Sequence, residues 1–95
     1  MNTITFDFGD GNGPVPAHQH PNGGGWVADT ATVDETAFVG PDAKVYGSAE
    51  VYGNAAVYGN AVVSGYAEVY GDSRVSGNAE VYGDTEVSGN AKIFA

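Results

Sequence analysis

Residues 49–60 read AEVYGN AAVYGN, two copies of a six-residue unit that decides the fold of this chain. An aliphatic residue recurs every six positions from Val27 to Ile93, without insertion or deletion, which makes twelve hexads. The aliphatic positions are Val27, Val33, Val39, Val45, Val51, Val57, Val63, Val69, Val75, Val81, Val87 and Ile93. Such self-similarity predicts a repeat architecture in which each unit stacks on its copies.

Each hexad predicts one short strand followed by one corner. In an extended segment side chains alternate between faces, so Ala49 and Val51 point one way while Glu50 and Tyr52 point the other. The Gly-Asn or Gly-Asp pair that follows tolerates the left-handed backbone angles of a turn. Corners that all turn the same way close a triangle after three hexads, or 18 residues, and stack each strand on its copy below.

This pattern, with a small residue four places after each aliphatic one, resembles the hexapeptide-repeat family of the bacterial transferase type. The resemblance covers residues 27–95, although a Tyr often stands after the aliphatic residue where the family more often has a small or acidic one. It implies an all-β fold, a left-handed parallel β-helix of triangular section with about four 18-residue coils. It also implies a parallel homotrimer.

The chain divides into an N-terminal strand and Gly/Pro-rich capping loop at residues 1–25 and a β-helix at residues 26–95. Residues 3–8 alternate polar and apolar side chains, which predicts a strand, whereas residues 15–25 read as an irregular connection. We expect residues 1–25 to cover the open first coil or to pack along one face, because an exposed β-helix end is an adhesive strand edge. The side chains buried by this cover should be Phe6, Phe8 and Trp26.

Composition excludes several functional classes. Twelve Asp and Glu residues against three Lys and Arg give a formal net charge of −9, which disfavours direct binding to nucleic acid or to an anionic membrane and permits binding to a basic protein surface. There is no cysteine, and hence neither a disulfide framework nor a thiolate metal site. No apolar stretch is long enough for a signal peptide or a membrane span, so we expect a soluble protein, with the cytoplasm favoured.

The residues argue against an enzyme. The best known enzymes of the hexapeptide-repeat family are acyltransferases, which need a general base that is usually His, and γ-class carbonic anhydrases, which need three His for zinc; the chain has no His after residue 20. We therefore predict no catalytic residue, cofactor or metal, and keep a degenerate acyltransferase-like protein as a second alternative. His18 and His20 could face one metal ion in an extended segment, but polar residues of a covering loop are the favoured interpretation.

The 18-residue period places three glutamates in one outward column, beside an adjacent column with two tyrosines. The predicted partner-binding residues on this face are Glu50, Glu68, Glu86, Asp34, Tyr52 and Tyr70. Regular negative charge on a rod imitates a nucleic-acid backbone, as pentapeptide-repeat DNA mimics do on a different helix. The sequence therefore favours a non-enzymatic protein whose rigid surface binds a basic protein partner, with a nucleic-acid-mimic inhibitor, for example a phage anti-defence protein, as one form of this function. For the glutamate column taken alone, a face that only keeps the surface solvated is the favoured interpretation, and a docking face is the alternative.

A structural or assembly module that forms homo-oligomers is the alternative function. A four-coil rod of Val and Ala has a thin core, so aromatic side chains buried between subunits would add the apolar burial that a monomer lacks. The predicted oligomer-interface residues are Trp26, Phe38, Tyr46, Tyr58 and Tyr82.

Overall fold

The computed structural model describes residues 4–95, which form fourteen strands and no helix. The first two strands are β1 (Thr5–Asp7) and β2 (Pro14–Gln19). The repeat strands are β3 (Trp26–Ala28), β4 (Thr32–Val33), β5 (Phe38–Val39), β6 (Lys44–Val45), β7 (Glu50–Val51), β8 (Ala56–Val57), β9 (Val62–Val63), β10 (Glu68–Val69), β11 (Arg74–Ser76), β12 (Glu80–Val81), β13 (Glu86–Val87) and β14 (Lys92–Phe94). As the period predicts, each hexad contributes one strand.

The repeat strands form three parallel sheets, because every third strand joins the same sheet. We call the outer surface of β3-β6-β9-β12 face 1, that of β4-β7-β10-β13 face 2, and that of β5-β8-β11-β14 face 3. Paired residues lie 18 positions apart, as in Val33 with Val51 and Val51 with Val69. The predicted parallel β-helix of about four coils is thereby confirmed.

The interior contains the repeat's Val and Ala side chains. Val39, Val51 and Val69 have no solvent exposure, and the Ala side chains pack beside such valines in one continuous cluster. Ser73 takes the place of an interior Ala and is equally buried; its hydroxyl donates to the Tyr70 carbonyl at 2.7 Å. This hydrogen bond satisfies the polar group that the substitution brings inside.

The corners depend on glycine for two reasons, which Gly59 illustrates. Its φ of 66° lies in the left-handed region, where a residue with a Cβ is strained. A Cβ at this position would also stand 2.9 Å from the backbone nitrogen of Gly77, the glycine of the next coil. Where a corner has this left-handed conformation, the next coil can stack at strand spacing only if the corner residue has no side chain.

The N-terminal segment differs from the sequence prediction, since residues 14–19 form strand β2 and the prediction of an irregular connection there is wrong. β2 pairs antiparallel with both β1 and β3. Pro16 is tolerated because it lies just past the end of β3, where the ladder stops, and its carbonyl still accepts from the Asp29 amide at 2.9 Å. Strand β1 begins at Thr5, and the Thr3 end of the predicted strand lies outside the described residues.

The loop after β2 covers the N-terminal edge of β5. The Val39 amide donates to the Asn22 carbonyl, and the Gly25 amide donates to the Val39 carbonyl, both at 3.0 Å. His20, only 3% exposed, donates through Nε2 to the Ala37 carbonyl at 2.8 Å. This part of the segment acts as the predicted cap, because it satisfies backbone groups that would otherwise template strand addition.

The β1–β2 hairpin packs on face 1. The Phe6 ring stacks on Trp26 with centroids 4.7 Å apart, and Phe8 stacks on Tyr46 at 5.0 Å. Phe8 is buried, whereas Phe6 and Trp26 are half-buried. The N-terminal segment therefore both caps the coil and covers a face, the two roles that the sequence left open.

We expect Gly59→Ala to lower the free energy of unfolding more than Gly83→Ala does. Both positions have a left-handed φ, so both variants carry a backbone cost of about 1–3 kcal/mol. Only at Gly59 would the Cβ point toward another coil, since a Cβ at Gly83 meets no atom of the described residues within 4 Å. Overpacking should add about 1 kcal/mol or more at Gly59, measurable by denaturant unfolding. Equal losses in the two variants would contradict the close stacking of the corners.

Candidate functional site

The three glutamates of face 2 form a column that the strand register fixes. Glu68 of β10 is paired with Glu50 of β7 on one side and with Glu86 of β13 on the other. Neighbouring parallel strands lie about 4.8 Å apart, so the three carboxylates extend from adjacent positions on one surface. We call this set the glutamate ladder. The structure thus brings together the acidic residues predicted from the period.

Crowding of like charges perturbs the central member of the ladder. A hydrogen bond shared with Glu50 raises the pKa of Glu68, and partial desolvation and the negative charge of Glu86 act in the same direction. A hydrogen bond between two carboxyl groups needs a proton on one of them, which is why it favours the protonated form. Glu68 therefore holds a proton more readily than an isolated glutamate would.

An aromatic pair lies beside the ladder. The Tyr52 and Tyr70 rings stack with centroids 4.8 Å apart and an interplanar angle of 3°, and the Tyr70 hydroxyl donates to Glu86 Oε1 at 3.4 Å. Partial burial raises the pKa of Tyr52, and the charge of Glu68 raises it further. Asp34 lies one coil above Tyr52 in the same column and is exposed. Face 2 therefore offers a flat apolar strip bordered by negative charge.

Basic side chains are segregated away from the ladder. Arg74 and Lys92 are register partners on face 3, and Lys44 lies on face 1 with Nζ 5.8 Å from the centroid of Phe6. Within residues 4–95 no Lys or Arg side chain lies within 4.0 Å of a ladder carboxylate, and the one close contact between a basic side chain and a carboxylate is the hydrogen bond of His18 Nδ1 with Asp29 Oδ1 at 2.7 Å. The negative potential of face 2 is thus directed to solvent.

The residues predicted for an oligomer interface separate into two groups. Trp26 and Tyr46 lie half-buried beneath the chain's own hairpin. Phe38 and Tyr58 lie on face 3 and are 36% and 37% exposed, while Tyr82 on face 1 is 66% exposed. Face 3 therefore combines exposed aromatic rings with the positive charges of Arg74 and Lys92.

The two histidines have separate partners. His18 pairs with Asp29, and His20 is buried against the Ala37 carbonyl. Among residues 4–95, no three His, Cys, Asp or Glu side chains lie close enough together to hold a metal ion. In the same part of the chain, no helix has the length and apolar character needed to cross a bilayer.

Comparison with protein-family models, curated proteins and solved structures finds no match for this chain. Two features of the surface were missed by sequence reasoning, namely the Tyr70–Glu86 hydrogen bond and the His18–Asp29 hydrogen bond. The Tyr70–Glu86 hydrogen bond has a signal in the sequence, because residues 16 positions apart lie diagonally across from each other on adjacent coils. The His18–Asp29 contact has no such signal, because it depends on the pairing of β2 with β3.

We expect Glu68→Gln to stabilise the folded chain at neutral pH. Because the folded-state pKa of Glu68 is raised, the native state binds more protons than the unfolded chain around that pKa. The wild type should therefore lose stability as the pH rises from about 4.3, the ordinary Glu value, through the raised pKa. Glu68→Gln should remove this loss, as measured by thermal unfolding over a pH series.

The matched control is Glu80→Gln, which removes one carboxylate from face 1, where the register partner is Val62. If Glu68→Gln and Glu80→Gln change the pH dependence of unfolding to the same extent, ladder crowding is not its cause.

Proposed function

We propose that the protein is a non-enzymatic binding module whose face 2 docks onto the basic surface of a protein partner. The observation that supports this proposal is the in-register glutamate ladder beside the Tyr52–Tyr70 stack, on a face that the hairpin leaves open. Complementary charge speeds encounter and aligns the two surfaces, and tyrosine rings supply rigid apolar contact area at interfaces. The function needs no cofactor.

The favoured partner is a protein groove that ordinarily binds nucleic acid. The ladder carboxylates recur about every 4.8 Å along the rod, and nucleotides rise by about 3.4 Å along one DNA strand. Both arrays present a regular negative row to Lys and Arg side chains. A chain that occupies such a groove would act as a competitive inhibitor, and the resemblance to the hexapeptide-repeat family would then concern the scaffold alone.

The test is association with a nucleic-acid-binding protein captured from the native host. Substitution of Glu50, Glu68 and Glu86 together by Gln should slow association about tenfold or more at low salt, because steering charges act mainly on the encounter rate. The same variant should show a weaker dependence of the rate on ionic strength. Nucleic acid should compete with the wild-type chain for the captured protein.

The matched control removes three carboxylates that lie off face 2, by the changes Asp7→Asn, Asp42→Asn and Glu80→Gln. If binding responds to net charge alone, this control will weaken binding as much as the ladder variant does. That result would contradict the assignment of face 2 as the docking surface. A partner whose affinity is indifferent to salt and to the ladder variant also contradicts the proposal.

Self-association is the second candidate, and the placement of opposite charges supports it. Glu68 and Arg74 lie one corner apart on the same coil, as do Glu86 and Lys92 on the next coil. In a ring of three parallel copies, face 3 of one chain would meet face 2 of its neighbour with these charges at matching heights. Such a head-to-tail contact closes into a homotrimer. Phe38 and Tyr58 would supply apolar burial there.

We expect sedimentation equilibrium at micromolar concentration to show a trimer that dissociates as salt is raised, if this second function holds. The double change Arg74→Glu and Lys92→Glu should give a monomer, because two attractive contacts become repulsive. Lys44→Glu, on face 1, is the control and should leave the trimer intact. A wild-type monomer under these conditions contradicts self-association and leaves face 2 free for a partner.

A further inference from the structure

A cavity of about 340 Å³ lies between the turn of the hairpin and the corner that joins faces 1 and 2. It exists because the hairpin bridges over face 1, so one wall comes from β2 and the opposite wall from the corners of two successive coils. The residues that form its walls include Val15, Pro16, Ala28 and Tyr46, and those that bring polar atoms include Asp10 and Asp29. A mostly apolar cavity with a few convergent polar groups is the usual form of a small-molecule site.

Hydrogen bonds hold the walls in place without a ligand. On the hairpin side, Asp10 Oδ1 accepts from the Asn12 amide at 3.1 Å, and Asp10 Oδ2 accepts from Asn12 Nδ2 at 3.1 Å. On the coil side, the Thr30 hydroxyl donates to the Gly47 carbonyl. The Asp29 amide donates to the Pro16 carbonyl at 2.9 Å and so joins the two walls, which gives a cavity that exists without a ligand and lowers the entropic cost of binding.

The chemistry of the lining selects a cation with an apolar body. Two carboxylates, Asp10 and Asp29, contribute to the lining, and no Lys or Arg does so. His18 occupies one oxygen of Asp29, but a carboxylate offers about four lone-pair positions over two oxygens, so Asp29 keeps acceptor capacity. The Tyr46 ring, held by its stack on Phe8, adds an aromatic wall of the kind that attracts cations.

We propose that this cavity binds a small organic amine in its ammonium form, with the nitrogen near Asp29 and Asp10 and the apolar body against Val15, Ala28 and Tyr46. An anion is disfavoured by the two carboxylates and by the net charge of −9. The volume, at the low end for ligand sites, suits a single-ring amine. This inference does not rest on the docking of face 2 to a protein.

The experiment is an NMR titration of the full chain with phenethylamine, which has both an ammonium charge and an apolar ring. Phenethyl alcohol lacks the charge, and ethylamine lacks the apolar body. Phenethylamine should bind saturably with Kd on the order of a millimolar or below. Amide shifts should centre on Ala28, Asp29 and Gly47. Both other probes should bind at least about tenfold more weakly, because each loses one of the two contributions.

Two variants test the site itself. Asp29→Asn should weaken phenethylamine binding about tenfold or more, and Asp84→Asn, which removes the same charge from a corner of the last coil, should leave it unchanged. Val15→Phe should fill the cavity and abolish binding while thermal unfolding still shows a folded chain. It therefore keeps the test decisive if Asp29→Asn loosens the hairpin.

Three results would overturn the proposal. The first is the absence of saturable binding. The second is equal affinity for phenethylamine and phenethyl alcohol. The third is a set of shifts centred on Glu68, which would mean that the amine binds the glutamate ladder through charge alone.

Discussion

Every coil of this protein depends on hydrogen bonds between residues 17 positions apart. The Thr32 amide donates to the Ala49 carbonyl, Glu50 donates to Ala67, and Glu68 donates to Thr85, at distances of 2.9–3.0 Å. The bonds continue through the corners, as between the Asn54 amide and the Gly71 carbonyl. Strands of two or three residues would be too short to persist alone, so stacking on an identical neighbour stabilises them. An exact 18-residue coil is the condition for that stacking.

The same register that builds the core determines the surface charge. Stacking each Val on its copy also stacks the outward residue before it, so Glu50, Glu68 and Glu86, which are 18 residues apart, must place their carboxylates on adjacent strands. The raised pKa of Glu68 is the electrostatic consequence. A chain that needed only solubility could distribute its acidic residues over three faces. Here the acidic ladder lies on one face, and Arg74 and Lys92 lie together on another.

The N-terminal hairpin makes the three faces unequal. By stacking Phe6 on Trp26 and Phe8 on Tyr46, it partly covers face 1 at β3 and β6. The following loop then hydrogen-bonds to β5 through Asn22 and Gly25. Faces 2 and 3 stay open to solvent; face 2 carries the glutamate ladder, and face 3 carries Arg74, Lys92 and exposed aromatic rings. The cavity beside Asp29 is a by-product of the same covering, because a flat hairpin cannot fill the angle of a corner.

The sequence by itself determined the repeat strands, the interior column of Val, the glycine corners and the membership of each outer column, including the glutamate ladder. It could do so because, in an unbroken repeat, the residue that stacks on a given position in the next coil lies 18 positions further along the chain. Only the tertiary structure decided that residues 14–19 are a strand, which face the hairpin covers, and that His18 meets Asp29. Residues 4–25 have no period, and their Pro and Gly content favours a loop by local preference. Their conformation is instead determined by the open edge of β3 and the exposed rings of face 1, which outweigh that preference.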